Sequence, residues 1–137
     1  MSTILACIDA AGGIGLKGRL PWHVSSELKH FKKVTMGKTL AVGSGTKLPP
    51  LPGREIVVLS RSGVTVAEAT ERGCVIIGGE TIFDVALDLV DTVCLSVLPD
   101  KYECDAWFNM VKLNRIFVLD STLSRDDFDI LTFKRRP

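Results

Sequence analysis

An acid stands where an apolar residue would fit. In Ser25–Val34, Leu28, Phe31 and Val34 recur at i, i+3 and i+6. On a helix turning about 100° per residue, Phe31 lies about 40° and Val34 about 20° from Glu27. Lys29, Lys32 and Lys33 fall on the other side. Glu27 therefore projects with the apolar stripe while the lysines face water. A carboxylate there costs free energy unless it is paired, hydrogen-bonded or protonated. Desolvation also raises its pKa, which suits proton transfer. The plainer alternative is a helix-dipole role, because Glu27 lies in the first turn.

Glycines supply the second pattern. Gly13-Ile14-Gly15-Leu16-Lys17-Gly18 matches G-x-G-x-x-G after a strand. A dinucleotide-binding turn needs a helix to open there, but Arg19-Leu20-Pro21-Trp22 follows, and the proline stops one from starting. No acid ends a second strand about twenty residues later either. The better reading is a flexible glycine loop that closes over something. Gly43-Ser44-Gly45-Thr46 and Gly78-Gly79-Glu80-Thr81 each follow a strand. Two such junctions in one sheet suit a phosphate cradle, though glycine also serves any tight turn. Leu59-Ser60-Arg61 ends another strand with a hydroxyl and a guanidinium, a third possible phosphate contact or a solvated surface charge.

These residues need a scaffold. The 137 residues suggest one domain spanning 1–137. Apolar residues at 46% and charged residues at 24% describe a globular chain. Seventeen basic against sixteen acidic residues argue against a nucleic-acid binder acting through bulk charge. No apolar run is long enough to span a membrane, and no secretory signal is expected at the N-terminus. Cysteines 7, 74, 94 and 104 form no C-x-x-C pair and no finger spacing with His23 or His30, so no metal site is expected. Reduced cysteines in a cytosolic core are the simplest reading.

Short β-branched runs at Thr3–Ile8, Thr39–Val42, Ile56–Ser60, Cys74–Ile77 and Thr92–Val97 read as strands covered on both faces. Helices are clearest at Ser25–Val34 and Thr81–Leu89, and the alternation argues for a mostly parallel sheet. Arg115–Leu119 and Phe128–Phe133 flank a polar turn, Asp120–Asp127, and read as a terminal antiparallel hairpin. Lys134–Pro137 reads as a frayed basic tail.

Taken in order, these pieces resemble dihydrofolate reductase. Gly13-Ile14-Gly15, Leu20-Pro21-Trp22, Glu27-Leu28, Phe31 and Thr35 resemble the family's G-I-G…L-P-W…[DE]-L…F…T run, spacing included. Leu51-Pro52-Gly53-Arg54, Leu59-Ser60-Arg61 and Ile77-Gly78-Gly79 resemble its L-P-G-R, L-S-R and I-G-G. Cys104-Asp105-Ala106-Trp107-Phe108 resembles its G-D-x-x-F segment. The resemblance covers residues 3–133. It implies an α/β, three-layer sandwich with a central, mostly parallel sheet and a C-terminal antiparallel hairpin. It also implies NADPH-dependent reduction of 7,8-dihydrofolate to tetrahydrofolate, by hydride transfer to C6 and protonation at N5.

The resemblance further implies roles. Glu27 would hold the pterin's amidine edge and promote protonation, with water relaying the proton, Ser96 supporting the acid and Trp22 lining the catalytic centre. Leu5, Leu28, Phe31 and Leu51 would pack the pterin and aminobenzoyl rings beside Ala6, Cys7 and Ile77, and Arg54 would clamp the glutamate carboxylate. The loop would close over the nicotinamide through Ile14, Gly15, Gly18 and Leu20, with Ala6, Cys7 and Ile77 also touching the cofactor. Gly43, Ser44, Gly45 and Thr46 would meet the pyrophosphate, and Gly78, Gly79, Glu80, Thr81 and Ile82 would complete that cradle around a cis Gly-Gly bond. Leu59, Ser60 and Arg61 would hold the adenosine side, the last two at the 2′-phosphate. Expected partners are dihydrofolate and antifolate inhibitors, with no nucleic acid or membrane. A monomer in the cytoplasm is expected, or in a host's cytoplasm if a phage encodes this short form.

Several departures stand out. Ser44 replaces the usual cation of G-[RK]-x-T, Phe83 stands where many members have tyrosine, and Lys47–Pro50 is too short for the usual helix. Between Arg61 and Cys74 twelve residues stand in place of a strand and a helix. Two rivals are a same-fold reductase of a riboflavin-pathway pyrimidine and a shortened non-enzymatic relative. Glu27, Arg54 and the L-P-W run argue against them.

Overall fold

The computed structural model describes residues 2–137. The elements run β1 (Thr3–Ile8), β2 (Gly13–Gly15), α1 (Ser25–Thr35), β3 (Thr39–Gly43), β4 (Glu55–Leu59), α2 (Val66–Glu71) and β5 (Val75–Ile76). They continue with α3 (Glu80–Ala86), β6 (Thr92–Val97), β7 (Ala106–Trp107), α4 (Met110–Ile116), β8 (Phe117–Ser124) and β9 (Asp129–Arg135). Seven strands form one sheet in the order β4-β3-β5-β1-β6-β9-β8. The pairings from β4 through to β6 are parallel, and β9 and β8 add antiparallel.

Side chains alternate across a strand, so each strand serves two faces. Ile4, Ala6 and Ile8 of β1 and Val93 and Leu95 of β6 enter the main core, with Ala69, Phe83, Leu87 and Leu113 from the helices α2, α3 and α4 and the turn after α3. Leu5 and Cys7 point the other way, toward α1 and the open cleft. A second cluster of Trp22, Leu98, Phe128 and Ile130 closes that side, with Cys7 and Cys94 packed on it.

The sheet and α1 follow the sequence reading; several details do not. The segment after Arg61 holds a helix, α2, where the sequence reading expected neither a strand nor a helix. Thr65 accepts from the Glu68 N–H and starts α2. β4 is an edge strand, and Ile56 and Val58 are exposed rather than covered on both faces. The second helix ends at Ala86, three residues before the expected Leu89. Arg115 belongs to α4, β8 continues to Ser124, and the hairpin turn shrinks to residues 125–128. The C-terminal residues are not frayed through Arg136. Arg135 ends β9, donates to the Leu87 and Val90 carbonyls and lies 4.9 Å over the Phe117 ring, and the Arg136 guanidinium donates to the Asn114 carbonyl at 2.8 Å. The glycine loop is partly ordered as β2, which pairs with β7.

Asp9 fixes the start of that loop. It is buried, and its carboxylate accepts from the backbone N–H groups of Ala11 (2.8 Å), Gly13 (2.8 Å) and Tyr102 (2.9 Å). Burial alone would push its pKa up, but the Tyr102, Gly13 and Ala11 donors outweigh it and hold the carboxyl below its ordinary value. The stabilisation is therefore complete above the ordinary carboxylate range and is lost as acid titrates the folded group. Asp9→Ala strands three amides, and we expect a loss of about 2–4 kcal/mol at pH 7 in urea unfolding. The difference from wild type should shrink as pH falls below the ordinary carboxylate range.

Candidate active site

The cleft holds about 930 Å³ and opens at the carboxyl ends of β3, β4 and β5, over Leu5, Ala6 and Cys7 of β1. That is where an open α/β sheet leaves strand ends and backbone donors uncovered.

Glu27 forms the polar part of its floor. The residue is 6% exposed. Among the described residues no ion pair includes it. Burial pushes its pKa up, and the Ser96 hydroxyl and Cys7 thiol pull it partly back. Cys7 and Ser96 are register partners on the adjacent parallel strands β1 and β6, which brings both to the acid. Ser96 is buried, yet its Oγ closes no hydrogen bond of good geometry. Its support of the carboxylate is therefore a weak contact rather than a formed bond. Trp22 Nε1 is likewise buried without a partner and belongs to a cleft-lining residue. Burial first, and then the Glu27 charge, drive the Cys7 thiol far above its ordinary range, so Cys7 stays protonated.

Leu28, Phe31 and Leu51 line the cleft with Leu5. Leu28 is 39% exposed because the face it covers opens into the cleft. Arg54 stands outside this lining, beside the end of α1. Its Nε donates to the Pro52 carbonyl (3.1 Å) and its Nη1 to Thr35 Oγ1 (3.3 Å), which leaves three of its five N–H donors.

The other half of the cleft is backbone. The Gly43 N–H donates to the Gly78 carbonyl at 2.8 Å, and the Gly78–Gly79 peptide is cis. A Cβ on Gly43 would meet Ile82 Cγ1 at 2.9 Å, and one on Gly79 would meet Thr46 Oγ1 at 3.0 Å. Ser44, Gly45, Thr81, Glu80 and Ile77 line the same wall, and Ile14, Gly15, Gly18 and Leu20 approach from the loop. Leu59 lines the cleft, but Ser60 and Arg61 lie outside its lining and are exposed. The Ser60 hydroxyl accepts from the Gly63 N–H at 2.8 Å, so it serves a turn. Sequence reading missed Arg19, His23 and Ala106 as lining residues, placed Leu48, Pro49 and Phe83 only as departures, and weighed Lys47 also as a 2′-phosphate contact. Arg19 and Lys47 each follow a glycine motif by one residue, which was the available signal.

The sequence model described as "Dihydrofolate reductase" matches residues 1–133. The chain belongs to the dihydrofolate reductase family. A dihydrofolate reductase of Staphylococcus aureus (strain Mu50 / ATCC 700699) is 36% identical, with 77% of this chain and 76% of that one covered. One of Ureaplasma parvum serovar 3 is 29% identical, with 93% of each covered. The structure of dihydrofolate reductase from Enterococcus faecalis, complexed with NADP(H) and RAB-propyl, superposes with a TM-score of 0.83 at 26% identity. It covers 100% of this chain and 97% of that one. Dihydrofolate reductases reduce 7,8-dihydrofolate to tetrahydrofolate with NADPH, and this chain is such an enzyme. Its cleft fits the cofactor: glycines admit close backbone approach at Gly43 and Gly79, and the unpartnered Trp22 Nε1 offers a polar donor within it.

Glu27→Gln removes a buried charge without changing shape. Because burial raises the folded pKa of Glu27, the ionised form costs stability above that pKa and the protonated form costs none below the unfolded value. Glu27→Gln should therefore be more stable than wild type at pH 8 in urea unfolding, and the gain should fade toward pH 4.5. Equal or lower stability at pH 8 would mean that the carboxylate is better satisfied than its surroundings indicate.

Proposed function

We propose that Glu27 binds the pterin's amidine edge through both carboxylate oxygens and promotes protonation at N5. The observation that carries this reading is a buried, unpaired carboxylate at the floor of an apolar cleft. Ser96 and Cys7 hold the acid from below, while Leu5, Leu28, Phe31 and Leu51 keep water from the rings. Ala6 and Ile77 border the reacting face, and Trp22 offers its indole N–H there. NADPH, when bound, supplies the hydride for C6. Gly43–Thr46 and Gly78–Ile82 hold its pyrophosphate side, and Ile14, Gly15, Gly18 and Leu20 cover its ring. Leu59 packs its adenosine, and Ser60 and Arg61 read its 2′-phosphate from the rim. Arg54 uses its remaining donors on the substrate's glutamate carboxylate.

Antifolates that present the same amidine edge are expected ligands. The expected form is a monomer. Four unpaired cysteines suit a reducing cytoplasm.

The test is NADPH oxidation, followed as absorbance loss at about 340 nm, with and without dihydrofolate. Glu27→Gln should fold and lose about 10²- to 10⁴-fold in turnover near neutral pH. Turnover within threefold of wild type would remove Glu27 from the chemistry. Arg54→Leu should weaken dihydrofolate by about 2–4 kcal/mol and leave a pterin lacking the glutamate nearly unaffected. Equal losses on both substrates would make Arg54 structural.

A further inference from the structure

Arg61, the cation that follows β4, lies exposed outside the cleft lining. Two other cations do line the cleft, Arg19 and Lys47. They belong to different loops that cross over its mouth. The Lys47 N–H donates to the Gly18 carbonyl at 2.9 Å. Gly18 has φ +79°, and a Cβ there would meet the Gly45 carbonyl at 2.7 Å and Lys47 Cγ at 3.8 Å. Only glycine lets the loops come this close, and the contact seats the Lys47 stem against Gly18, next to Arg19. Among the described residues neither cation takes part in an ion pair. Of the two acids in the cleft lining, Glu80 accepts from the Trp107 N–H at 2.8 Å and Glu27 is buried on the floor.

We propose that Arg19 and Lys47 form a two-cation clasp on the cofactor's pyrophosphate, tying cofactor binding to the ordering of loop 13–20. This rests on the placement of the pyrophosphate at Gly43–Thr46 proposed above. The pyrophosphate is favoured over the 2′-phosphate by position. Lys47 follows directly on Gly43–Thr46 and contacts Gly18 in the loop between β2 and α1, whereas Ser60 and Arg61 after β4 lie outside the cleft lining. Arg19 offers a fork of donors and Lys47 a point charge, which together suit two adjacent phosphates.

The test is calorimetric titration of NADPH, NADH and ADP-ribose, the last of which carries the pyrophosphate without nicotinamide or 2′-phosphate. Lys47→Met and Arg19→Met should each weaken all three by the same factor, roughly tenfold, as expected for a partly exposed charge-assisted contact. The losses should shrink as salt rises. Arg61→Ala should weaken NADPH alone, and Lys29→Met, on the outer face of α1, should change nothing. Hydrogen exchange supplies a readout independent of turnover: ADP-ribose should protect the amides of residues 13–20 in wild type and much less in Lys47→Met. A loss in Lys47→Met confined to NADPH would move the contact to the 2′-phosphate and overturn the clasp. Unchanged binding in both Met variants, with wild type binding normally, would overturn the clasp and leave the cofactor site standing. Wild type that binds none of the three would overturn the cofactor placement itself.

Discussion

A buried carboxylate with no cation beside it is the constraint around which the cleft is built. Glu27 is 6% exposed on a helix that begins without a side-chain cap, since Val24 occupies the N-cap. Desolvation of such a group is expensive and is offset here only by weak neighbours, the Ser96 hydroxyl and the Cys7 thiol. A basic partner on β1 or β6 would stabilise the fold and remove the reason for the acid to hold a proton. The β1–β6 register that pairs Cys7 with Ser96 therefore does two things: it continues the parallel sheet and sets the acidity of the group above it.

The cofactor half depends on the opposite device, the absence of side chains. Gly43 and Gly79 let β3 and the turn after β5 approach within a range that a Cβ would close, and Gly18 does the same for the crossing loops. Asp9 anchors the loop's origin by collecting the amides of Ala11, Gly13 and Tyr102. β2 and β7 then carry it across the cleft as a short antiparallel pair. The loop is thus held at its origin and pinned at Gly18 by the Lys47–Gly18 hydrogen bond, leaving Leu20 exposed at the rim.

Much of this was legible in the sequence, for physical reasons that differ by element. Glu27 was visible because helical periodicity places it with Phe31 and Val34, and β1, β3 and β6 because both of their faces are mostly buried; β4 was visible from its β-branched run although it lies at an exposed edge. The helices α2 and α4 were missed. They are six and seven residues long and bury one residue each, Ala69 and Leu113, so they carry almost no periodic signal. Thr65 three residues before Glu68 was a readable start for α2. The role of Asp9 depends on Tyr102, distant in the chain, and no local pattern announces it. Arg135 looked like part of a solvated tail because its partners, the Leu87 and Val90 carbonyls and the Phe117 ring, come from elsewhere in the chain.

The most direct test is to watch Glu27 titrate. With glutamate labelled by ¹³C at the side-chain carboxyl, and Glu27→Gln to assign the resonance, the Glu27 carboxyl is expected to titrate above the ordinary glutamate value. Ser96→Ala should move it higher still, because a donor to the ionised form is lost. A Glu27 carboxyl that titrates at or below its ordinary value would contradict the account, because the cleft would then hold a satisfied anion rather than an acid able to give up a proton.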